Sequence, residues 1–261
     1  MDQPLSRIDG SAGARRHFRF YDYMMAAFVA ILLLSNLIGA AKLATFDGVT
    51  FGAGILFFPV SYVLGDVLTE VYGYANARRC VWAGFFALLF MAFMSFVVVA
   101  MPASPGWGCA SSGNPIFADL LKSHTSGALC QTTYESVFGS TWRIVGASIT
   151  AFWAGEFVNS FVLAKMKIWT GGARLWTRTI GSTVFGQAVD SVLFYPIAFL
   201  GVWTTGDVVK VMFTNWAMKV LWEAILTPVT YAVVGWLKSR EGVDVFDTDT
   251  EFSPFAKAPS V

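Results

Sequence analysis

The sequence predicts an all-α integral membrane protein whose six transmembrane helices form a 3+3 inverted repeat. Three observations lead to that class. Hydrophobic residues make up 56% of the 261 positions and charged residues only 13%, where soluble domains carry about 25% charge. Six stretches approach the roughly 20 apolar residues that a bilayer crossing requires. The second and fifth of them share a polar pattern in register. A net charge of +1, with no basic patch interleaved with aromatics, excludes a nucleic-acid partner.

Residues 1–21 hold Arg7, Arg15, Arg16 and Arg19 among polar neighbours. The apolar run that follows is too long for a signal-peptide core and lacks a clear cleavage site, so the segment is expected to stay as a cytoplasmic tail. The transmembrane domain is placed at residues 22–237. Its first span, 22–45, contains "FVAILLL" and then "SNLIGAAK", where Asn36 is an intramembrane amide. The second span, 55–73, includes "GDVLTEVYG", with Asp66 and Glu70 four residues apart and therefore on one helix face. The third, 81–101, is the continuous apolar run "FFALLFMAFMSFVVVA", which rules out the alternation of a membrane strand.

The connection at 102–142 is expected to face outward. It carries Cys109 and Cys130, candidates for a disulfide or for two free thiols, and a short apolar patch, "IFADLL". The fourth span, 143–165, places Asn159 three residues after Glu156. In the fifth, 179–203, Asp190 follows Gln187 at the same spacing, and in the sixth, 215–237, Glu223 follows Lys219 by four. Residues 238–261 form a second cytoplasmic tail. With both termini inside, the inner segments collect Arg7, Arg15, Arg16, Arg19, Arg78, Arg79, Lys165, Lys167, Arg174, Arg178, Lys238, Arg240 and Lys257, as the positive-inside rule requires.

The repeat emerges when "SYVLGDVLTEVYG" from Ser61 is set beside "STVFGQAVDSVLF" from Ser182: Asp66 then matches Gln187, Thr69 matches Asp190 and Glu70 matches Ser191. Asn36 and Asn159 each precede a lysine, Lys42 and Lys165, by six residues. A three-span unit ends on the side opposite its start, so its copy must be inserted upside down. In transporters built this way the site lies near the midplane between the halves.

A carboxylate at the centre of a membrane helix costs on the order of 3 kcal/mol to insert, so the polar faces are expected to point into the bundle. They either line a central pocket or hold helices together. Lys219 and Glu223 can pair with each other, and Asp66 and Glu70 can reach Arg78 and Arg79. No P-loop, H-E-x-x-H or G-x-S-x-G motif occurs, and the histidines, His17 and His124, fall outside the spans. No enzyme, metal or cofactor is therefore expected.

"SNLIGAAK", "FPVSYVLGDVLTEVYGYANARRCVWAGF", "FGSTWRIVGASITAFWAGEFVNSFVLAKMK" and "RTIGSTVFGQAVDSVLFYPIAFLG" resemble the queuosine precursor transporter family, from about residue 22 to 237. Trp142 stands where the family pattern leads us to expect proline. The resemblance implies a six-helix protein of the cell inner membrane that imports 7-cyano-7-deazaguanine, 7-aminomethyl-7-deazaguanine or both. The expected partners are thus a 7-deazaguanine and the lipid bilayer, with a homodimer left open.

A carboxylate can accept the adjacent N1–H and exocyclic amine of such a base in a bidentate bond. The expected substrate-binding residues are Asn36, Asp66, Glu70, Glu156, Asn159, Gln187 and Asp190, with Glu70 first for the base. The alternative function is the substrate-binding S-component of an energy-coupling factor transporter.

Overall fold

The computed structural model describes residues 5–10, 17–38, 43–46, 49–52, 57–102, 134–135, 138–139 and 142–256. Cys109, Cys130 and the "IFADLL" patch lie outside these residues. Within them, six helices of 15 residues or more follow one another: α1 (Tyr21–Ile38), α2 (Phe58–Tyr72), α3 (Tyr74–Val99), α4 (Trp142–Trp169), α5 (Leu175–Phe199) and α6 (Thr205–Glu241). Four short strands accompany them: β1 (Ser6–Asp9), β2 (Leu43–Phe46), β3 (Val49–Gly52) and β4 (Val243–Phe246).

By length and composition, α3, residues Arg143–Trp169 of α4, and α6 are long and apolar enough to cross a membrane. Large apolar side chains on α3 face outward, Phe86, Phe90 and Phe93 being more than half exposed. Such a surface suits hydrocarbon. The first expected span is divided: α1 ends at Ile38, and Leu43–Phe46 pairs antiparallel with Val49–Gly52 as a hairpin. α6 runs 37 residues, about 55 Å at 1.5 Å per residue. It therefore overshoots a hydrocarbon core of about 30 Å.

α2 differs from its neighbours. It has 15 residues, about 22 Å, and is buried on nearly every side, packed against α1, α3, α4 and α6. Its acids consequently face protein, not lipid. A single residue, Gly73, turns α2 into α3 with φ 81°, a left-handed conformation that glycine adopts without the clash of a Cβ.

Both ends of the chain meet at one end of the bundle. β1 pairs parallel with β4, and Glu241 accepts the backbone N–H groups of Arg19 and Phe20 at 3.1 and 2.9 Å. The α2–α3 turn reaches the same place, since the Tyr74 N–H donates to the Asp247 carboxylate at 3.0 Å. So does the α4–α5 turn, where Arg7 donates to the Gly171 carbonyl at 3.4 Å. The C-terminal segment crosses this end as a strap, with Arg78 donating to the carbonyls of Glu251 and Ser253 and the Trp82 indole to that of Pro254.

Candidate functional site

Two groups of buried polar residues occupy neighbouring levels of α2. The level nearer the chain ends centres on Glu70, which is fully buried. Arg178 of α5 grips it through a fork, Nε to Oε2 at 2.8 Å and Nη2 to Oε1 at 2.8 Å. Lys238 of α6 approaches Oε1 at 2.6 Å and Lys167 of α4 at 3.3 Å.

Both lysines also hold Asp244 of β4, at 2.8 Å from Lys167 and 2.6 Å from Lys238. Lys167 further donates to the carbonyls of Glu70 and Val245 at 2.6 and 2.7 Å. Burial would raise the Asp244 carboxyl, but the two lysines outweigh it and hold it below the ordinary carboxylate range. Five elements thus converge on two carboxylates and three cations. Excellent geometry of this kind is what a buried ion cluster needs to repay its desolvation.

Among the described residues, Arg78 and Arg79 are not paired with the α2 acids. Arg78 is taken by the C-terminal strap, and Arg79 lies over the Tyr21 ring.

The second level begins one turn away at Asp66. Its Oδ1 accepts from the Asn159 amide at 2.7 Å. Gly65 lets Glu156 come close, since a Cβ there would lie 3.0 Å from Glu156 Oε2. From the other side, Gly186 fits α5 against α4 so tightly that a Cβ would stand 2.6 Å from the Asn159 Cβ and 3.0 Å from the Gly155 carbonyl oxygen. The two matching glycine motifs, of α2 and α5, therefore both seat on the polar face of α4. Glu223, Glu156 and Glu70 are the charged neighbours of Asp66, and Asp190, Lys219 and Glu223 those of Glu156.

Lys219 and Glu223 do not pair with each other; Lys219 turns to Asp190 of α5 at 2.5 Å. It also stands over the Tyr62 ring, 5.7 Å from its centroid. A bond to the neighbouring helix satisfies the lysine better than its own i+4 neighbour, and Glu223 is left over.

Among the described residues, Asp66 Oδ2, Glu156 Oε2, Asn159 Oδ1, Gln187 Oε1, Ser191 Oγ, both oxygens of Glu223 and the indole Nε1 of Trp153 are buried without a hydrogen-bond partner. Most of them are acceptors. A buried polar atom left this way costs about 1–3 kcal/mol, and so many together call for donors from elsewhere.

Their depth is informative. Gln187 lies 12 residues from each end of α5 (187 − 175 and 199 − 187) and Glu223 lies 18 from each end of α6 (223 − 205 and 241 − 223). Glu156 is 14 and 13 residues from the ends of α4 (156 − 142 and 169 − 156).

Of the residues singled out by sequence, Asp66, Glu156, Asn159 and Asp190 come together, with Gln187 one position beyond the Gly186 contact. Glu70 sits one turn away in the ion cluster. Asn36 is apart, accepting from Ser148 Oγ at 3.1 Å and donating to the Leu32 carbonyl at 2.9 Å. Glu223 was legible only as half of an ion pair. Lys167, Arg178 and Lys238 were legible only as topology signals, since nothing local to them points to Glu70.

The profile of the "Putative vitamin uptake transporter" family matches residues 52–233. The chain belongs to that family. It is 28% identical over 187 residues, 71% of this chain and 72% of the relative, to the probable queuosine precursor transporter of Bacillus subtilis strain 168. It is 21% identical over 187 residues, 69% of the chain and 71% of the relative, to the queuosine precursor transporter of Escherichia coli strain K12. No solved structure matches. The chain is thus a membrane transporter of an uptake family, as its resemblance to that group implies.

Proposed function

We propose that this chain crosses the membrane six times as two inverted three-helix units, with both termini cytoplasmic, and imports 7-deazaguanine precursors of queuosine. The cyano and aminomethyl forms are its substrates. The observation that carries the reading is the set of partnerless acceptors at helix midpoints, in a family whose named relatives transport queuosine precursors.

A deazaguanine supplies what those atoms lack. Its N1–H and exocyclic amine donate side by side to one carboxylate, and Glu156, central and with Oε2 unpartnered, is the group we assign to them. Asp66, held by Asn159 through one oxygen, offers its other oxygen to a further ring N–H. We assign the Ser191 hydroxyl and the Gln187 amide nitrogen as donors to the base carbonyl. Asp190 shapes the wall through Lys219. Glu70 was the first expectation for base recognition, but its two oxygens already receive three cations. We assign it to holding the bundle, and we place Asn36 in helix packing with Ser148.

The test is uptake of radiolabelled precursor by the purified chain in liposomes, with Asp66→Asn, Glu156→Gln and Asp190→Asn measured singly. Uptake should fall on the order of ten- to a hundredfold for Glu156→Gln, matching the loss of charged hydrogen bonds. Unchanged uptake in all three variants would remove the proposed site. Uptake that appeared only with a separate ATPase module would favour the S-component alternative.

A further inference from the structure

We infer that Glu223 is an ammonium-binding residue, which makes this transporter selective for a planar heterocycle carrying a primary ammonium over its uncharged nitrile counterpart. The inference rests on the proposed function, whose chamber it divides into a base-recognition part and a cation part.

Glu223 is 1% exposed and both its oxygens lack a hydrogen-bond partner. Three of the acids around it are held: Asp190 by Lys219, Asp66 by the Asn159 amide, and Glu70 by Arg178, Lys238 and Lys167; Glu156 keeps Oε2 unpartnered, and Glu223 keeps both oxygens unpartnered. The groups near it are like-charged or already engaged. Asp66 of α2 and Glu156 of α4 are its acidic neighbours. Lys219, one turn earlier on α6, is drawn off to Asp190 of α5.

Four carboxylates therefore meet one lysine. A nitrile leaves those acceptors without donors in a site shielded from water, whereas a ligand ammonium brings three N–H donors to acceptors that have none. A nitrile carries only an acceptor and meets acceptors.

The experiment measures equilibrium binding of 7-aminomethyl-7-deazaguanine and 7-cyano-7-deazaguanine to the detergent-purified full chain, in the native protein, E223Q and E223D. The native chain should bind the aminomethyl compound more tightly. In E223Q the ratio of the two affinities should shift toward the cyano compound by on the order of ten- to a hundredfold, and E223D should keep most of the native preference.

If the native chain binds the cyano compound at least as tightly, or if E223Q weakens both compounds alike, the ammonium site is overturned while the chamber stands. If the native chain binds neither compound, the proposed function and the ammonium site fall together. The native comparison needs no variant, so it decides the matter even if E223Q folds poorly.

Discussion

Glu70 of α2 and Glu223 of α6 are both almost fully buried glutamates, yet they are opposites in how they are satisfied. Three cations from three helices reach Glu70, and none of the described donors reaches Glu223. The difference teaches that a buried carboxylate has two uses. Where cations converge, it ties elements together and its cost is met at folding. Where none does, its cost is carried by the folded protein until a donor arrives.

The sharpest way to break this comparison is Glu70→Ala. Removing one partner from a buried cluster leaves the other charges uncompensated, at about 3–5 kcal/mol. The purified variant should lose most of its folded yield and melt well below the native chain, while E223Q should melt at or above it. Equal melting temperatures would erase the distinction.

Next come Asp66→Asn and Glu156→Gln, expected to cut precursor uptake on the order of tenfold or more with little change in melting. A variant that lost stability in proportion to its uptake would belong with Glu70 instead. Gly186→Ala tests the close seat of α5 on α4 beside the proposed site, because its new Cβ would meet the Asn159 Cβ at 2.6 Å. Overpacking of this kind costs about 1–3 kcal/mol, read as a lowered melting temperature.

The smallest effect concerns Asp244. Its folded carboxyl titrates below the ordinary value of about 3.9 because Lys167 and Lys238 outweigh its burial. Its contribution is therefore complete above that ordinary value and lost as pH falls through the folded one. Amide exchange in the C-terminal strap should stay slow at neutral pH and quicken only in strong acid, and Asp244→Asn should quicken it at neutral pH. An unchanged exchange rate in that variant would mean the strap is held without this pair.

Much of this was legible in the sequence. Hydropathy located the helical stretches, and the spacing of Asp66, Glu156, Asn159 and Asp190 put them on inward faces that do converge. Partner choice was not legible, because it depends on residues far apart in the chain. Lys219 has an acid four residues ahead on its own helix, and only packing decides that Asp190 is nearer. Arg78 and Arg79 adjoin α2 in sequence, yet the cations on Glu70 come from α4, α5 and α6. The strap was equally hidden: a polar tail gives no periodic signal, and its order depends on Asp244, Asp247 and the carbonyls that Arg78 and Trp82 reach. The first strand of the hairpin was read into the first span because "LATF" is as apolar as the helix before it.

The Glu70 cluster also sets an order of events during synthesis. Its partners follow 97 residues later at Lys167, 108 at Arg178 and 168 at Lys238. The carboxylate is thus made long before the charges that balance it, and the last of them arrives only as α6 is completed. β1 likewise waits for β4, since the Gly242 carbonyl that Ser6 binds comes 236 positions later. A chain that stalls before α6 ends with one of the three cations missing from the cluster in its most buried helix and with an unpaired first strand, two marks by which membrane quality control can tell it from the finished protein.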